Sequence, residues 1–446
     1  MLCGVTSTES TTRARQPAST ALLTDHYELT MIQAALRSGA AERRCVFEAF
    51  ARRLPDGRRY GVIAGTGRFL EALEHFRFGG PEVEALRRSH VVDDRTCDWL
   101  ADYRFSGDIS GYAEGECYFP GSPVLVVESS FAEGVLLETL VLSILNHDTA
   151  IASAASRMTA AAGDRPCIEM GSRRTHEEAA VAAARAAYIA GFATTSNLEA
   201  GRRYAVPTGG TAAHAFTLVH DDERDAFQAQ VDSLGAGTTL LVDTYDVHHG
   251  VATAVEVAGP GLGAVRLDSG DLLSQAGDVR AQLDGLGATG TRIIVTSDLD
   301  EFAIAGLAAG PVDGYGVGTQ VVTGSGAPTA SMVYKLVART NHDGVMQPVE
   351  KKSKGKASIG GRKWALRRLT CDGVAEAEVI GVGDLPGNDG NDRVLMVELV
   401  REGKVVGHQE IHEARDRHAA SRAELPREAL RLQRGDVAIP TIFESD

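Results

Sequence analysis

The sequence predicts an α/β fold built on parallel strands, and three observations predict it. Five short apolar runs each stop abruptly at Arg, Asp, Ser, Thr or Gly. They end before Gly171-Ser-Arg173-Arg174, Asp243-Thr-Tyr, Arg266-Leu-Asp268-Ser269-Gly-Asp271, Thr-Ser-Asp298 and Gly318-Thr319. A buried parallel strand reads as a continuous apolar run, and its C-terminal end is where such folds meet ligands. Ala-rich helical stretches, 177–190 and 272–286 among them, alternate with these runs, which implies βαβ units. Polar chemistry at five or more successive strand ends favours a barrel over an open doubly wound sheet.

Taken in chain order, residues 22–37 place apolar side chains at helical spacing behind Thr24-Asp25, a suitable N-cap. Residues 45–50 read as a strand. The Leu54-Pro-Asp-Gly57 turn interrupts, a helix follows over 65–76, and short strands such as 121–129 mix with helices up to about 145 without regular alternation. The expected organisation is a Ser/Thr-rich tail over 1–20, an α+β domain over 21–145, the α/β barrel over 146–336 and a C-terminal region over 337–446. Hairpin-like strands around 393–406 should fold that last region back on the α+β domain.

The formal net charge of −15 argues against sequence-independent binding to nucleic acid or to an anionic membrane, both of which need a net basic face. Six scattered cysteines without a Cys-x-x-Cys pair suggest neither a zinc ribbon nor a disulfide framework. The apolar stretches look too interrupted to span a bilayer, so a cytoplasmic protein is expected. Lysine is absent before Lys335, after which Lys351, Lys352, Lys354, Lys356 and Lys363 fall in a Gly/Ser-rich stretch. That stretch reads either as a solvated loop or as a basic loop closing over phosphates.

Several apparent motifs fail. Gly65-Thr-Gly67 lacks the third glycine and acidic partner of a dinucleotide fingerprint, and adjacent His248-His249 makes a poor metal clip. The Arg266, Asp268, Ser269, Asp271 cluster is different in kind. Carboxylates at a strand end can bind sugar hydroxyls or a divalent cation, an arginine fork suits phosphate or carboxylate, and a structural ion pair is the plain alternative. Gly316, Gly318 and Thr319 form a glycine-rich strand end whose free N–H groups suit an anion. His214 follows Thr208-Gly-Gly-Thr211-Ala-Ala, where small neighbours leave room for a phosphoryl adduct on the imidazole. Tyr27, on the first helix, is a boundary aromatic or a stacking platform for a planar heterocycle.

These segments, together with Thr24-Asp-His-Tyr-Glu-Leu-Thr-Met31, Phe47-Glu-Ala-Phe50 and Gly191-Phe-Ala-Thr-Thr-Ser-Asn197, resemble nicotinate phosphoribosyltransferases over nearly the whole chain. The resemblance implies a type II phosphoribosyltransferase fold: an irregular, incomplete α/β barrel with an α+β N-terminal domain. It also implies a homodimer sharing its active sites, nicotinate and phosphoribosyl pyrophosphate as substrates, ATP as co-substrate and Mg²⁺ as cofactor. On that pattern His214 is the phosphorylated histidine and Asp268 and Asp271 are catalytic, while the metal ligands stay unassigned. Tyr27, Thr211 and Arg266 would lie at nicotinate, and Thr319 with Gly316 and Gly318 at the sugar phosphate. Arg173 would meet either the phosphates or the nicotinate carboxylate. The family more often has Phe-Gly-Thr-Arg-Arg where this chain has Met170-Gly-Ser-Arg-Arg. Nicotinamide phosphoribosyltransferases, with a similar Arg-x-Asp-Ser-Gly-Asp pattern, and a non-catalytic sensor of the same fold are the rival readings.

Overall fold

The computed structural model describes residues 18–351 and 358–444. Most of the expected tail, residues 1–17, lies outside them, as do Lys352, Lys354 and Lys356.

Six strands form one parallel sheet, in the spatial order Thr194–Thr195, Cys167–Glu169, Gly314–Val317, Arg292–Ser297, Ala264–Leu267 and Thr239–Leu241. Each pair is parallel, as in Ile294 opposite Gly314 and Leu241 opposite Arg266. The first and last strands do not pair, so the barrel is incomplete. Its strands are short, two to six residues each, enough to cross the core before the chain meets the rim. The helices Glu138–Ala162 and Glu177–Ile189 pack closely against each other, and their alanines are what permit it: Ala152, Ala155, Ala183, Ala186 and Ala187 are wholly buried between them and the sheet. The segment Phe131–Ala162 is in fact long and apolar enough to cross a membrane by length and composition, contrary to the sequence expectation. Here it is a core element, with most of that surface buried inside the fold.

An antiparallel sheet of seven strands forms the other half. Its order is Met346–Pro348, Met332–Thr340, Arg44–Ala51, Leu125–Ser130, Asp108–Tyr112, Met396–Arg401 and Lys404–Val405. Strands from both ends of the chain thus share one sheet. Met332–Thr340 runs straight through residue 336 and pairs along Arg44–Ala51, so the parallel unit ends before the boundary drawn from sequence. A third sheet carries Arg367, wholly buried, which is locked by Glu378 at 2.6 Å and Glu116 at 3.2 Å.

Lys363 corrects the reading of the lysine-rich stretch. It is not a loop residue: it begins the strand Lys363–Leu369, is buried, and donates to Glu48 at 2.6 Å. Removing one member of a buried pair strands the other charge, typically at about 3–5 kcal/mol. Lys363→Ala should therefore lose about that much stability in denaturant unfolding. Adding Glu48→Gln to it should recover a large part; no recovery would show that packing, not charge, sets the loss.

Candidate active site

At the C-terminal ends of the parallel strands lies a cavity of about 710 Å³. It gathers Arg173, Thr211, His214, Arg266, Asp268, Gly316, Gly318 and Thr319, eight residues expected from sequence, from four separate strand ends and loops. Gly316 is required there by close approach, since a Cβ would lie 2.4 Å from Thr296 Cγ2 and 2.8 Å from Met170 Sδ.

His214 opens the short helix His214–Leu218. Its Nδ1 is 3.2 Å from the Thr244 hydroxyl, which fixes the ring plane. Its Nε2 faces two carboxylates, 3.9 Å from Asp243 Oδ1 and 3.8 Å from Asp268 Oδ2. Asp243 is the organiser. Its Oδ2 accepts from the Asp268 N–H and from the Ser269 hydroxyl, both at 2.8 Å, while its buried Oδ1 has no hydrogen-bond partner. Asp268 in turn accepts a short hydrogen bond from the Thr296 hydroxyl.

Arg266, nearly buried, donates through Nη1 to the Thr211 hydroxyl at 2.7 Å and to the Ala212 carbonyl at 3.1 Å, and lies 3.6 Å from Asp268. It therefore clamps the loop that leads into His214. Burial pulls its pKa down, partly offset by Asp268 and Asp243, and its Nε is buried without a partner. Glu169, pushed up by burial, accepts from Thr195 and from the Gly171 N–H and so holds the turn carrying Arg173 and Arg174. Those two arginines stand exposed at the rim.

Three expected site residues lie elsewhere. Asp271 does not join Asp268 at the cavity. Its carboxylate caps the helix Leu272–Gly285, accepting from the Ser274 N–H at 3.2 Å, because Gly270 turns the chain with φ +86°. Ser269 spends its hydroxyl on Asp243 and supports the site from outside the lining. Tyr27 sits on the helix His26–Ser38, half exposed, with its phenol pushed up to about 12 by burial and the nearby Glu138, and it does not line this cavity. Asp243, Thr244, Thr296 and Asp298 were given no role from sequence, although Asp243 and Asp298 stand at two of the noted strand ends.

Among the described residues no cluster of three or more His, Cys, Asp or Glu is placed to hold a metal ion by itself. The unpartnered Asp243 Oδ1 and the adjacent Asp268 carboxylate nonetheless offer the hard oxygen donors that Mg²⁺ takes when phosphates and waters complete its shell.

An incomplete parallel barrel with acids, arginines and a glycine-rich turn at its strand ends defines a type II phosphoribosyltransferase fold. The structure of human nicotinic acid phosphoribosyltransferase superposes with a TM-score of 0.81 at 25% identity, covering 94% of this chain and 97% of that one. In sequence, residues 22–146 match the nicotinate phosphoribosyltransferase N-terminal domain. Nicotinate phosphoribosyltransferase pncB1 of Mycobacterium tuberculosis is 61% identical over 429 residues, 94% of each chain, and the Bacillus subtilis nicotinate phosphoribosyltransferase is 37% identical over 83% of this chain and 78% of its own. The chain belongs to the nicotinate phosphoribosyltransferase family.

Proposed function

We propose that this chain joins nicotinate to the ribose of phosphoribosyl pyrophosphate, giving nicotinate mononucleotide and pyrophosphate for NAD salvage, and that phosphorylation of His214 by ATP drives the reaction. The observation that carries the reading is His214 Nε2 facing the Asp243 and Asp268 carboxylates in a cavity whose rim holds the exposed Arg173 and Arg174.

The pyridine nitrogen brings its own lone pair, so no general base is needed. As the bond from C1 to pyrophosphate breaks and the bond to nitrogen forms, positive charge develops on the ribose, and a fixed carboxylate beside it stabilises that charge. Asp268 is suited to this because Thr296 and the backbone bond to Asp243 hold it still. Gly318 and Thr319 suit the 5′-phosphate, whose oxygens accept backbone N–H bonds. Bound Mg²⁺, held by Asp243 or Asp268 together with the substrate phosphates, would neutralise the leaving pyrophosphate. In the coupled step the imidazole takes the γ-phosphoryl group, its N–P bond forming as the bond to ADP breaks, and water later cleaves the adduct.

Tyr27 lies away from its own chain's cavity, and Leu218 and Val219, beside His214, expose most of their apolar surface. Both suit a homodimer in which one copy completes the other's pyridine site.

Pyrophosphate release measured with nicotinate, with and without ATP, tests the reading. Selectivity is the sharper check. Arg266 and Arg173 supply cationic partners that a carboxylate can satisfy and an amide cannot, so nicotinamide should be at least about a hundredfold poorer in kcat/KM. Equal efficiency for the two pyridines would favour the nicotinamide enzyme, and no turnover with either would favour a sensor.

A further inference from the structure

The largest cavity described, about 1030 Å³, is not the one at His214. It lies on the antiparallel half, bounded by residues 73–82, by Arg104 and Phe105, and by the hairpin ending in Lys404. We propose that it is a second binding site, for a small molecule carrying a di- or triphosphate.

In a chain of formal net charge −15, four cationic or protonatable side chains converge here: His75, Arg77, Arg104 and Lys404. Among the described residues none of them takes part in an ion pair, and Arg104 spends one nitrogen on the carbonyls of Ala101 and Tyr103. Two carboxylates share the lining. Of these, Glu82 is folded over Gly79 in the first turn of the helix Gly80–Ser89, where the helix end already balances its charge, which leaves Glu74 as the counter-charge in the cavity.

The cations are set in place by backbone, not by chance contact of long side chains. Glu402 and Gly403, with φ +47° and +74°, make the two-residue turn that joins Met396–Arg401 to Lys404–Val405. A Cβ at Gly403 would lie 2.2 Å from the Phe105 carbonyl, so the hairpin tip is seated on the segment just after Arg104 and brings Lys404 beside it. On the other side the Ser19 hydroxyl donates to the Arg77 carbonyl at 2.6 Å, and the Thr20 N–H to the His75 carbonyl at 3.2 Å.

Three permanent cations on three separate segments suit several phosphate groups better than one, and guanidinium forks match phosphate oxygens. The volume sits at the upper end for small-ligand sites, and Phe105 adds apolar lining for whatever carries the phosphates. An occupant would tie the N-terminal helices to the C-terminal hairpin, away from the His214 site.

The test uses the full chain with inorganic tripolyphosphate as the probe, read by amide hydrogen exchange. Slowed exchange is expected in segments 76–80 and 402–405 of the wild type. It should be absent in Arg77→Gln/Lys404→Gln and reduced in Arg104→Gln, with basal activity of all three proteins alike. In calorimetry the double variant should lose one class of sites or bind there at least roughly tenfold more weakly, and raising salt should weaken that same class in the wild type. Protection confined to residues 316–319, or equal protection in the double variant, would overturn the proposal.

Discussion

Asp268→Ala should lower turnover by roughly 10²-fold or more, the scale of removing one well-placed electrostatic group from a reacting centre. The side chain is one-third exposed, so its truncation leaves no buried cavity, and folding should survive within about 1 kcal/mol. What it does lose is a carboxylate held by the Thr296 hydroxyl and by the backbone bond to Asp243, with its other oxygen 3.8 Å from His214 Nε2. Asp268→Asn separates charge from shape: the amide oxygen can still accept from Thr296, yet the negative charge is gone. Both variants should therefore fall together in kcat for pyrophosphate release, with unchanged unfolding midpoints. A folded Asn variant with near-normal turnover would reduce Asp268 to a hydrogen-bond acceptor, and near-normal turnover in the Ala variant would remove it from the chemistry.

What could be read from sequence, and what could not, follows the range of the interactions. Five of the six parallel strands were legible because each is a continuous apolar run ended by a polar residue, whereas Thr194–Thr195 has no such run; eight of the expected residues meet at one cavity at these strand ends. Asp271 misled because Arg266-x-Asp268-Ser-Gly-Asp271 looks like one acidic cluster, whereas the turn at Gly270 sends Asp271 to cap the next helix. Asp243, noted only as a strand end, had no legible role for the opposite reason. It stands alone after Val242, and only the pairing of Leu241 with Arg266 sets it beside Asp268 and His214. Lys363 was hidden likewise, since its partner Glu48 lies 315 residues away and strand pairing, not composition, brings them together.

Incubation with γ-labelled ATP should leave an acid-labile, alkali-stable label on the wild type and none on His214→Asn. The surroundings of the imidazole favour this outcome. Gly209, Gly210, Ala212 and Ala213 leave space around the ring, the clamp from Arg266 to Thr211 and Ala212 fixes the approach, and Thr244 holds Nδ1 so that Nε2 is the nitrogen turned to the cavity. There Nε2 meets Asp243 and Asp268. These acids repel a phosphoryl group once it sits on Nε2. Such an adduct would be of high energy unless cationic groups or substrate drew in around it, and that need would couple its formation to tighter substrate binding and its hydrolysis to product release. His214→Asn keeps the carboxylates, the rim arginines and the glycine-rich turn, so some synthesis without ATP should remain while the ATP-dependent enhancement disappears. The measurement is the ratio of kcat/KM for phosphoribosyl pyrophosphate with and without ATP, well above one in the wild type and near one in the variant. A variant that labels as strongly as the wild type, or keeps its ATP response, would place the phosphate on another residue.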